Sequence, residues 1–280
     1  MPKLTSAQYK TKVEPVWCPG CGDFGVLNAL CNALSAKEVD PKNLVFVSGI
    51  GCSGRLPPYV SSYGFHTVHG RVLPIATGIK VANPDLTVVA VGGDGDAFAI
   101  GGGHIPHMAR RNPSILYLVM DNGTYGLTKG QASPTGPLGM KTGASPYGTI
   151  EPPLNPLAMA IAYDISFVAR AYSGKYKELE ALITRALHHR GFSFIDVISP
   201  CITFYNTYKQ LSPQLASVPE DHDPKDRAKA FELSLREDKI LLGLFYEKER
   251  PTYEEKIRSV VDQSEASGIP RLDEIFLDFA

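Results

Sequence analysis

The sequence predicts an α/β domain built on a doubly wound, mostly parallel sheet. Three observations carry that expectation. Short apolar runs rich in Val, Ile, Leu and Phe recur along the 280-residue chain, separated by stretches with helical spacing. The run Leu86–Val91 ends in a glycine-rich turn, Gly92-Gly93-Asp94-Gly95-Asp96, and the next apolar run, Ile115–Met120, ends in Asp121-Asn122. That order puts Asp94 and Asn122 at the carboxyl ends of neighbouring parallel strands, where open α/β sheets bind ligands. Finally, 44% of the residues are hydrophobic, enough for a sizeable core.

Residues 1–15 are polar and read as an N-terminal arm. Asp23 has the side chain of an N-cap, ahead of a helix with Phe24, Leu27, Cys31 and Leu34 on one face. Leu44–Val47 reads as the first core strand, ending in a turn over residues 48–54. Residues 72–83 read as a helix stopped by Asn83-Pro84, followed by the strand at 86–91, a helix near 97–111 and the strand at 115–120. Residues 121–153 are rich in Gly, Pro, Thr and Ser; so long a connection is commonly a binding loop. A helix near 155–162, a strand at 165–169, a helix at 176–187 and a strand at 192–198 complete a domain over 16–210. Residues 211–280 read as a charged C-terminal extension, with at most a short strand at Leu241–Tyr246. Leu241, Leu244, Phe245, Tyr253, Ile275 and Phe276 would be poorly buried in a solvated tail, so the extension is expected to pack on a partner subunit.

Composition excludes several classes. With 28 basic and 29 acidic residues, the chain has no excess charge to attract nucleic acid or an anionic membrane. Its apolar runs are strand-sized and too short to span a bilayer. The first residues, MPKLTSAQ, lack the apolar segment of a secretory signal, which points to the cytoplasm. Five cysteines are an odd number, so metal or redox use is a better reading than a disulfide framework.

The glycine-rich turn suits an anion. Gly93 and Gly95 allow close backbone approach to a phosphate, and the helix that follows offers its N-terminus. Asp94, Asn122 and a nearby carbonyl are hard oxygen ligands of the kind Mg²⁺ uses to hold a diphosphate. No G-x-G-x-x-G follows Val91 and no P-loop motif occurs. Cys18 and Cys21 form a C-x-x-C, while Cys52 and Cys201 each follow a strand and should reach the same sheet edge. Four thiolates there could hold a 4Fe–4S cluster or a tetrahedral Zn²⁺, though a zinc ribbon would call for a second C-x-x-C. Spacing leaves three readings open: cluster, zinc or unligated thiols. Cys31, on the apolar face of its helix, reads as a buried structural thiol.

Five segments carry a family resemblance: Trp17–Gly25 (WCPGCGDFG), Ile50–Gly54 (IGCSG), His66–Asp85 (HTVHGRVLPIATGIKVANPD), the GDG of 93–95 with Asn122, and Tyr125–Thr135 (YGLTKGQASPT). In order, and over residues 14–210, they resemble the β subunit of the archaeal two-subunit 2-oxoacid:ferredoxin oxidoreductases. Gly103 departs from the Asn often found there.

The resemblance implies the thiamine diphosphate-binding fold and a set of roles. Cys18, Cys21, Cys52 and Cys201 would ligate one 4Fe–4S cluster. Asp94, Asn122 and the Thr124 carbonyl would hold Mg²⁺, and the backbone of Gly95 and Asp96 would meet the diphosphate. Ile50, Gly51, Cys52, Ser53, His66, His69, Gly126 and Leu127 would contact the cofactor, with Leu127 propping its bent shape. Arg55 would face the substrate carboxylate, and residues 129–131 would shape the pocket. His104 and His107 receive no catalytic role, and His188-His189 complements a helix end. The implied reaction is decarboxylation of a 2-oxoacid such as pyruvate or 2-oxoglutarate to an acyl-coenzyme A, with electrons passing through the cluster to ferredoxin. In related enzymes the glutamate that activates the aminopyrimidine lies on a separate domain. An obligate α (or fused γα) subunit is therefore expected to supply it, along with the coenzyme A site.

Overall fold

The computed structural model describes residues 3–267 together with Asp273 and Phe276. In chain order its elements are α1 (Asp23–Lys37), β1 (Leu44–Ser48), β2 (Tyr63–His66), α2 (Val72–Ala82), β3 (Thr87–Gly93), α3 (Ile105–Arg111) and β4 (Ile115–Asp121). A two-strand ribbon, β5 (Thr124–Tyr125) and β6 (Gln131–Ala132), lies in the long loop. Then follow α4 (Pro156–Ala162), β7 (Phe167–Tyr172), α5 (Tyr176–His188), β8 (Phe192–Ile198), α6 (Tyr208–Leu211), β9 (Leu215–Ser217), α7 (Arg227–Ser234), β10 (Ile240–Glu247) and α8 (Tyr253–Ser267).

Eight strands form one sheet in the order β2-β1-β3-β4-β8-β7-β10-β9. Neighbours from β2 to β7 are parallel, and β10 joins β7 antiparallel. Alternation along the strands feeds two cores. Val89 and Val91 of β3 pack with α1 and α5 on one face, while Val88 and Ala90 pack with α2, α3, α4 and α7 on the other. The chain runs from β1 outward to β2, then returns to lay β3 on the opposite side of β1. The topological switch point therefore lies between the ends of β1 and β3, where such sheets open a crevice.

Several expectations need correcting. Residues 6–10 are not a free arm: Tyr9 is fully buried, its hydroxyl donates to the Val39 carbonyl, and Lys10 bridges to Val60. Gly22, not Asp23, is the N-cap; Asp23 is the first helical residue, buried beneath the sheet end. The edge strand β2 has no signature in the sequence, because all four of its residues are exposed and give no apolar alternation. The expected 97–111 helix is broken: a π-helical turn (Gly95–Ile100) and a short 3-10 turn (Gly102–His104) precede α3. Gly101 to Gly103 supply no helix-favouring side chain at that break.

The region after Pro200 is the largest difference. β10 continues the main sheet, and α7 covers it with Ala230 and Leu233. Leu241 and Phe245 are thus buried by the chain itself, and Leu244 packs against the core beneath α1 and α5. Arg111 lies over the Tyr253 ring, Phe276 is exposed, and Ile275 lies outside the described residues. Phe245→Ala should lower the stability of the whole sheet by about 3–5 kcal/mol, the usual cost of emptying a buried aromatic position. Denaturant unfolding followed by fluorescence will show one cooperative transition shifted down, whereas an independent arm would leave the main transition in place.

Candidate active site

The turns after β1 and β3 meet at the switch point and wall a cavity of about 490 Å³. Its lining brings together Ile50, Gly51, Cys52, Ser53, His69, Asp94, Gly95, Asp96, Asn122, Thr124, Gly126 and Leu127. Arg55 and His66 stand apart, in an adjoining cavity of about 430 Å³ that shares Ile50, Gly51 and Leu127. His66 is held there by a 3.0 Å contact between Nδ1 and the Ser48 hydroxyl. Leu127 is 45% exposed at the junction of the two cavities, so it is a mouth residue and not a core leucine.

Asp94 is 1% exposed. The Ser133 and Thr135 hydroxyls both donate to its Oδ2, the latter at 2.7 Å. Its Oδ1 receives only a long 3.5 Å contact from the Asn122 N–H and so retains lone pairs. Asn122 Oδ1 and the Thr124 carbonyl each accept one backbone N–H, from Thr124 and Gly126 at 3.0 and 3.1 Å, and keep further acceptor capacity. These three oxygens, from the turns after β3 and β4, are hard donors of the kind a divalent ion would use, and a cation there would offset the burial that pushes the Asp94 carboxyl upward. Thr135 Oγ1 is also 2.7 Å from Asp121 Oδ1. One hydroxyl proton cannot serve two carboxylates. Burial, then Asp94 and Asp196, push the Asp121 carboxyl well above the usual carboxylate range.

Gly95 has a specific reason to be glycine. A Cβ there would lie 2.2 Å from the Tyr125 ring, which closes the cavity beside it. Asp96 plays a part the sequence did not suggest. Its Oδ1 accepts the Ile50 N–H at 3.0 Å and the Gly70 N–H at 2.8 Å, and lies 3.1 Å from His69 Nδ1. One carboxylate therefore ties the turn after β3 to the turn after β1 and to the segment entering α2. Asp23, Tyr125, Thr128 and Gln131 also line the cavity; their signal was their presence in the motifs, not any spacing rule.

The thiols cluster behind the cavity. A Cβ at Gly126 would lie 3.4 Å from Cys52 Sγ and 3.7 Å from Cys201 Sγ, so both sulfurs press on the same glycine. Cys21 closes a turn with Cys18 at 2.9 Å, and Gly22 N–H binds the Pro200 carbonyl at 3.2 Å, seating the C-x-x-C beside Cys201. Burial pushes the Cys21 thiol upward, and that of Cys52 to about 11; Asp23 and the other cysteines add to both. Four soft sulfur donors brought to one place are the donor set that a 4Fe–4S cluster would use. Among the described residues, no three His, Cys, Asp or Glu side chains stand close enough together to hold a metal ion as they are placed. Cys31 is fully buried in α1, away from these groups. His188 and His189 serve structure, the latter bonding Ser166 at 2.9 Å.

Removing the Asp96 carboxylate strands one buried N–H group, one part-buried N–H group and a histidine. Asp96→Ala should therefore lower stability by about 3 kcal/mol, taking roughly 1–3 kcal/mol for each stranded group. Chemical denaturation will read the loss, and Asp96→Asn, which keeps one acceptor oxygen, should recover part of it.

The comparisons agree with this geometry. The family model described as thiamine pyrophosphate enzyme, C-terminal TPP binding domain, matches residues 49–197. A second model, for the C-terminal part of the pyruvate ferredoxin oxidoreductase beta subunit, matches residues 201–262. The chain is 42% identical over 268 residues to the subunit beta of 2-oxoacid:ferredoxin oxidoreductase 2 from Aeropyrum pernix, covering 90% of this chain and 87% of that one. It is 37% identical over 272 residues to the 2-oxoglutarate synthase subunit KorB of Methanothermobacter thermautotrophicus, covering 96% and 95%. Among solved structures, the 2-oxoglutarate:ferredoxin oxidoreductase of Magnetococcus marinus, with 2-oxoglutarate, coenzyme A and succinyl-CoA bound, superposes with a TM-score of 0.95 at 42% identity, over 100% of this chain and 97% of that one. With the crevice, its oxygen donors and the matched family all in agreement, the chain belongs to the β subunits of the 2-oxoacid:ferredoxin oxidoreductases.

Proposed function

We propose that this chain holds the diphosphate end of thiamine diphosphate through Mg²⁺ and carries one 4Fe–4S cluster on Cys18, Cys21, Cys52 and Cys201. With an α (or fused γα) subunit it would oxidise 2-oxoacids, pyruvate and 2-oxoglutarate being the candidates, to acyl-coenzyme A and CO₂, passing electrons to ferredoxin. The observation that carries this reading is Asp94: a buried carboxylate with one oxygen tied by two hydroxyls and the other open to Asn122, in a cavity that Cys52 also lines. When bound, thiamine diphosphate supplies a carbanion for attack on the 2-oxo carbon, and the cluster takes up the resulting electrons singly.

The chain's own residues do the placing. Asp94, Asn122 and the Thr124 carbonyl hold the metal, and the N–H groups of Gly95 and Asp96, opening a helical turn, face the diphosphate. Asp96 fixes the Ile50–Ser53 turn and His69 against the cofactor. Arg55, in the adjoining cavity, offers its cation to the substrate carboxylate, with His66 and Leu127 as neighbours. The main cavity's lining contains no glutamate, which supports a partner that brings the activating one. Among the described residues no helix is long and apolar enough to cross a membrane, and all five cysteines are unpaired. These features suit a cytoplasmic enzyme.

Two substitutions separate the cofactor from the cluster. In the anaerobically purified complex, Asp94→Asn should weaken Mg²⁺-dependent thiamine diphosphate binding at least 100-fold by calorimetry, while the broad iron–sulfur absorption near about 400 nm persists. Cys52→Ala should do the reverse: that absorption and 2-oxoacid-dependent viologen reduction both disappear, with cofactor binding kept within a few-fold. Full viologen reduction by Cys52→Ala would sink the cluster assignment.

A further inference from the structure

We propose that Ser133 and Thr135 are positioning residues that make the cation site beside Asp94 selective for a small octahedral ion such as Mg²⁺ over a larger one such as Ca²⁺. The proposal rests on the Mg²⁺ reading above and adds what sets the choice of ion. Asp94 stands just past the end of β3, 1% exposed, with its two oxygens in unlike surroundings. The Ser133 hydroxyl, itself buried, and the Thr135 hydroxyl at 2.7 Å both reach Oδ2. Two such donors occupy the lone pairs of that oxygen. Oδ1 meets only the Asn122 N–H, at 3.5 Å. The carboxylate is therefore held so that it offers one oxygen and withholds the other.

The two hydroxyls belong to the same ribbon as one of the expected metal ligands. β5 opens on Thr124, whose carbonyl is that ligand, and β6 leads into Ser133 and Thr135. The strands are paired antiparallel, with Thr124 opposite Ala132, and the Thr124 hydroxyl donates to the Gln131 carbonyl at 2.8 Å. The ribbon's ends pack backbone on backbone: a Cβ at Gly136 would stand 2.9 Å from the Gly123 carbonyl oxygen and 3.1 Å from that of Ser133. Thr135 Oγ1 is held from its other side by Asp121 Oδ1 at 2.7 Å, and the Gly123 N–H donates to that same oxygen at 3.1 Å. One braced ribbon thus places both the Thr124 carbonyl and the hydroxyls that orient Asp94, where separate loops would drift.

Ligand count then selects the ion. Mg²⁺ demands a near-ideal octahedron at about 2.0–2.1 Å, whereas Ca²⁺ takes roughly 6–8 oxygens at about 2.3–2.6 Å and readily claims both oxygens of one carboxylate. Asn122 Oδ1 and the Thr124 carbonyl supply one oxygen each by their nature. Asp94 supplies one because its hydroxyl partners hold the second. Three single oxygens leave the rest of an octahedral set to diphosphate and water, and a larger ion is denied the extra donor that Oδ2 would give. Both partners are neutral hydroxyls, so they fix the carboxylate without cancelling the charge that attracts the ion, as a lysine or arginine there would. Groups that orient a metal ligand in this way commonly tune affinity about 10–100-fold.

The test uses the intact complex with its partner subunit, stripped of divalent ions and cofactor, bearing Ser133→Ala and Thr135→Val together. Calorimetry in the presence of thiamine diphosphate gives the apparent affinities for magnesium chloride and for calcium chloride, with no turnover required. The expected result is a Ca²⁺-to-Mg²⁺ affinity ratio raised about tenfold, while Thr135→Ser, which keeps its hydroxyl, retains the parent ratio. An unchanged ratio, with both ions weakened alike, would overturn the proposal, since the hydroxyls would then only support the loop. If the double variant does not assemble on size-exclusion chromatography, Ser133→Ala alone carries the same measurement: about a threefold rise in the ratio is expected, and no rise overturns the proposal. Failure of the underlying Mg²⁺ reading looks different: in the unsubstituted complex neither ion would alter thiamine diphosphate binding.

Discussion

Negative charge, buried at one end of a parallel sheet, is the constraint around which this molecule is organised. Asp23, Asp94, Asp96 and Asp196 are each no more than 2% exposed, and Asp121 adjoins them at the end of β4. A carboxylate taken out of water without a partner is expensive, and its proton affinity rises instead. Of these acids only Asp196 has a guanidinium, that of Arg170 at 2.8 Å. Burial pushes Asp23 up to about 6, and only the Ser199 hydroxyl, 2.6 Å away, and the Cys21 thiol oppose it. Asp94 and Asp121 share a threonine hydroxyl, and burial pushes both carboxyls upward. Such a sheet end is poised for cations, and the carboxylates and thiols match the two kinds it would receive: hard oxygen donors beside Asn122, soft sulfur donors beside Gly126.

The same end must also be rigid. Parallel strands leave their carboxyl ends as loops, and loops drift unless tied. Here the tie is Asp96, which gathers donors from two other segments into one carboxylate. Its geometry needs two flanking glycines, since a Cβ at Gly49 would strike the carboxylate at 2.2 Å and one at Gly92 at 3.1 Å. Side chains that look like decoration of a motif are thus a single mechanical unit. An acid that could have been a phosphate neighbour through its backbone alone turns out to brace the turn carrying Cys52.

What is legible in the sequence follows from this physics. The strands β1, β3 and β4 are near-continuous apolar runs buried on both faces, and such runs announce themselves; β8 is buried as fully but carries Ser193 and Asp196 among its apolar residues. The Asp94–Asn122 pairing follows from strand order alone. β2 is silent because an exposed edge strand need not alternate, and Val68 beside it is 71% exposed. β10 is easily undervalued because Gly243 interrupts it and a bulge lies between Leu244 and Tyr246, so its period reads as irregular. Ser133 and Thr135 stand out only as members of a motif, since a hydroxyl that satisfies a carboxylate some forty positions away leaves no local pattern. Asp23 reads as a cap because local rules see the helix start and not the Ser199 hydroxyl arriving from β8's end.

Gly126 shows why the two halves of the site cannot be treated separately. It lines the cofactor cavity on one side and receives the sulfurs of Cys52 and Cys201 on the other. Any side chain there would have to displace a thiol or fill the cavity, so the wall between the cavity and the thiols is one backbone thick. That thinness sets the direction of everything else. The cavity must open away from the cysteines, toward the Leu127 mouth, where a second subunit would cover it. On the far side of that wall the cysteines grade from the buried Cys201 through the half-buried Cys21 and Cys52 to Cys18 at the surface, so the sulfur side of Gly126 meets solvent while its other side faces the cavity.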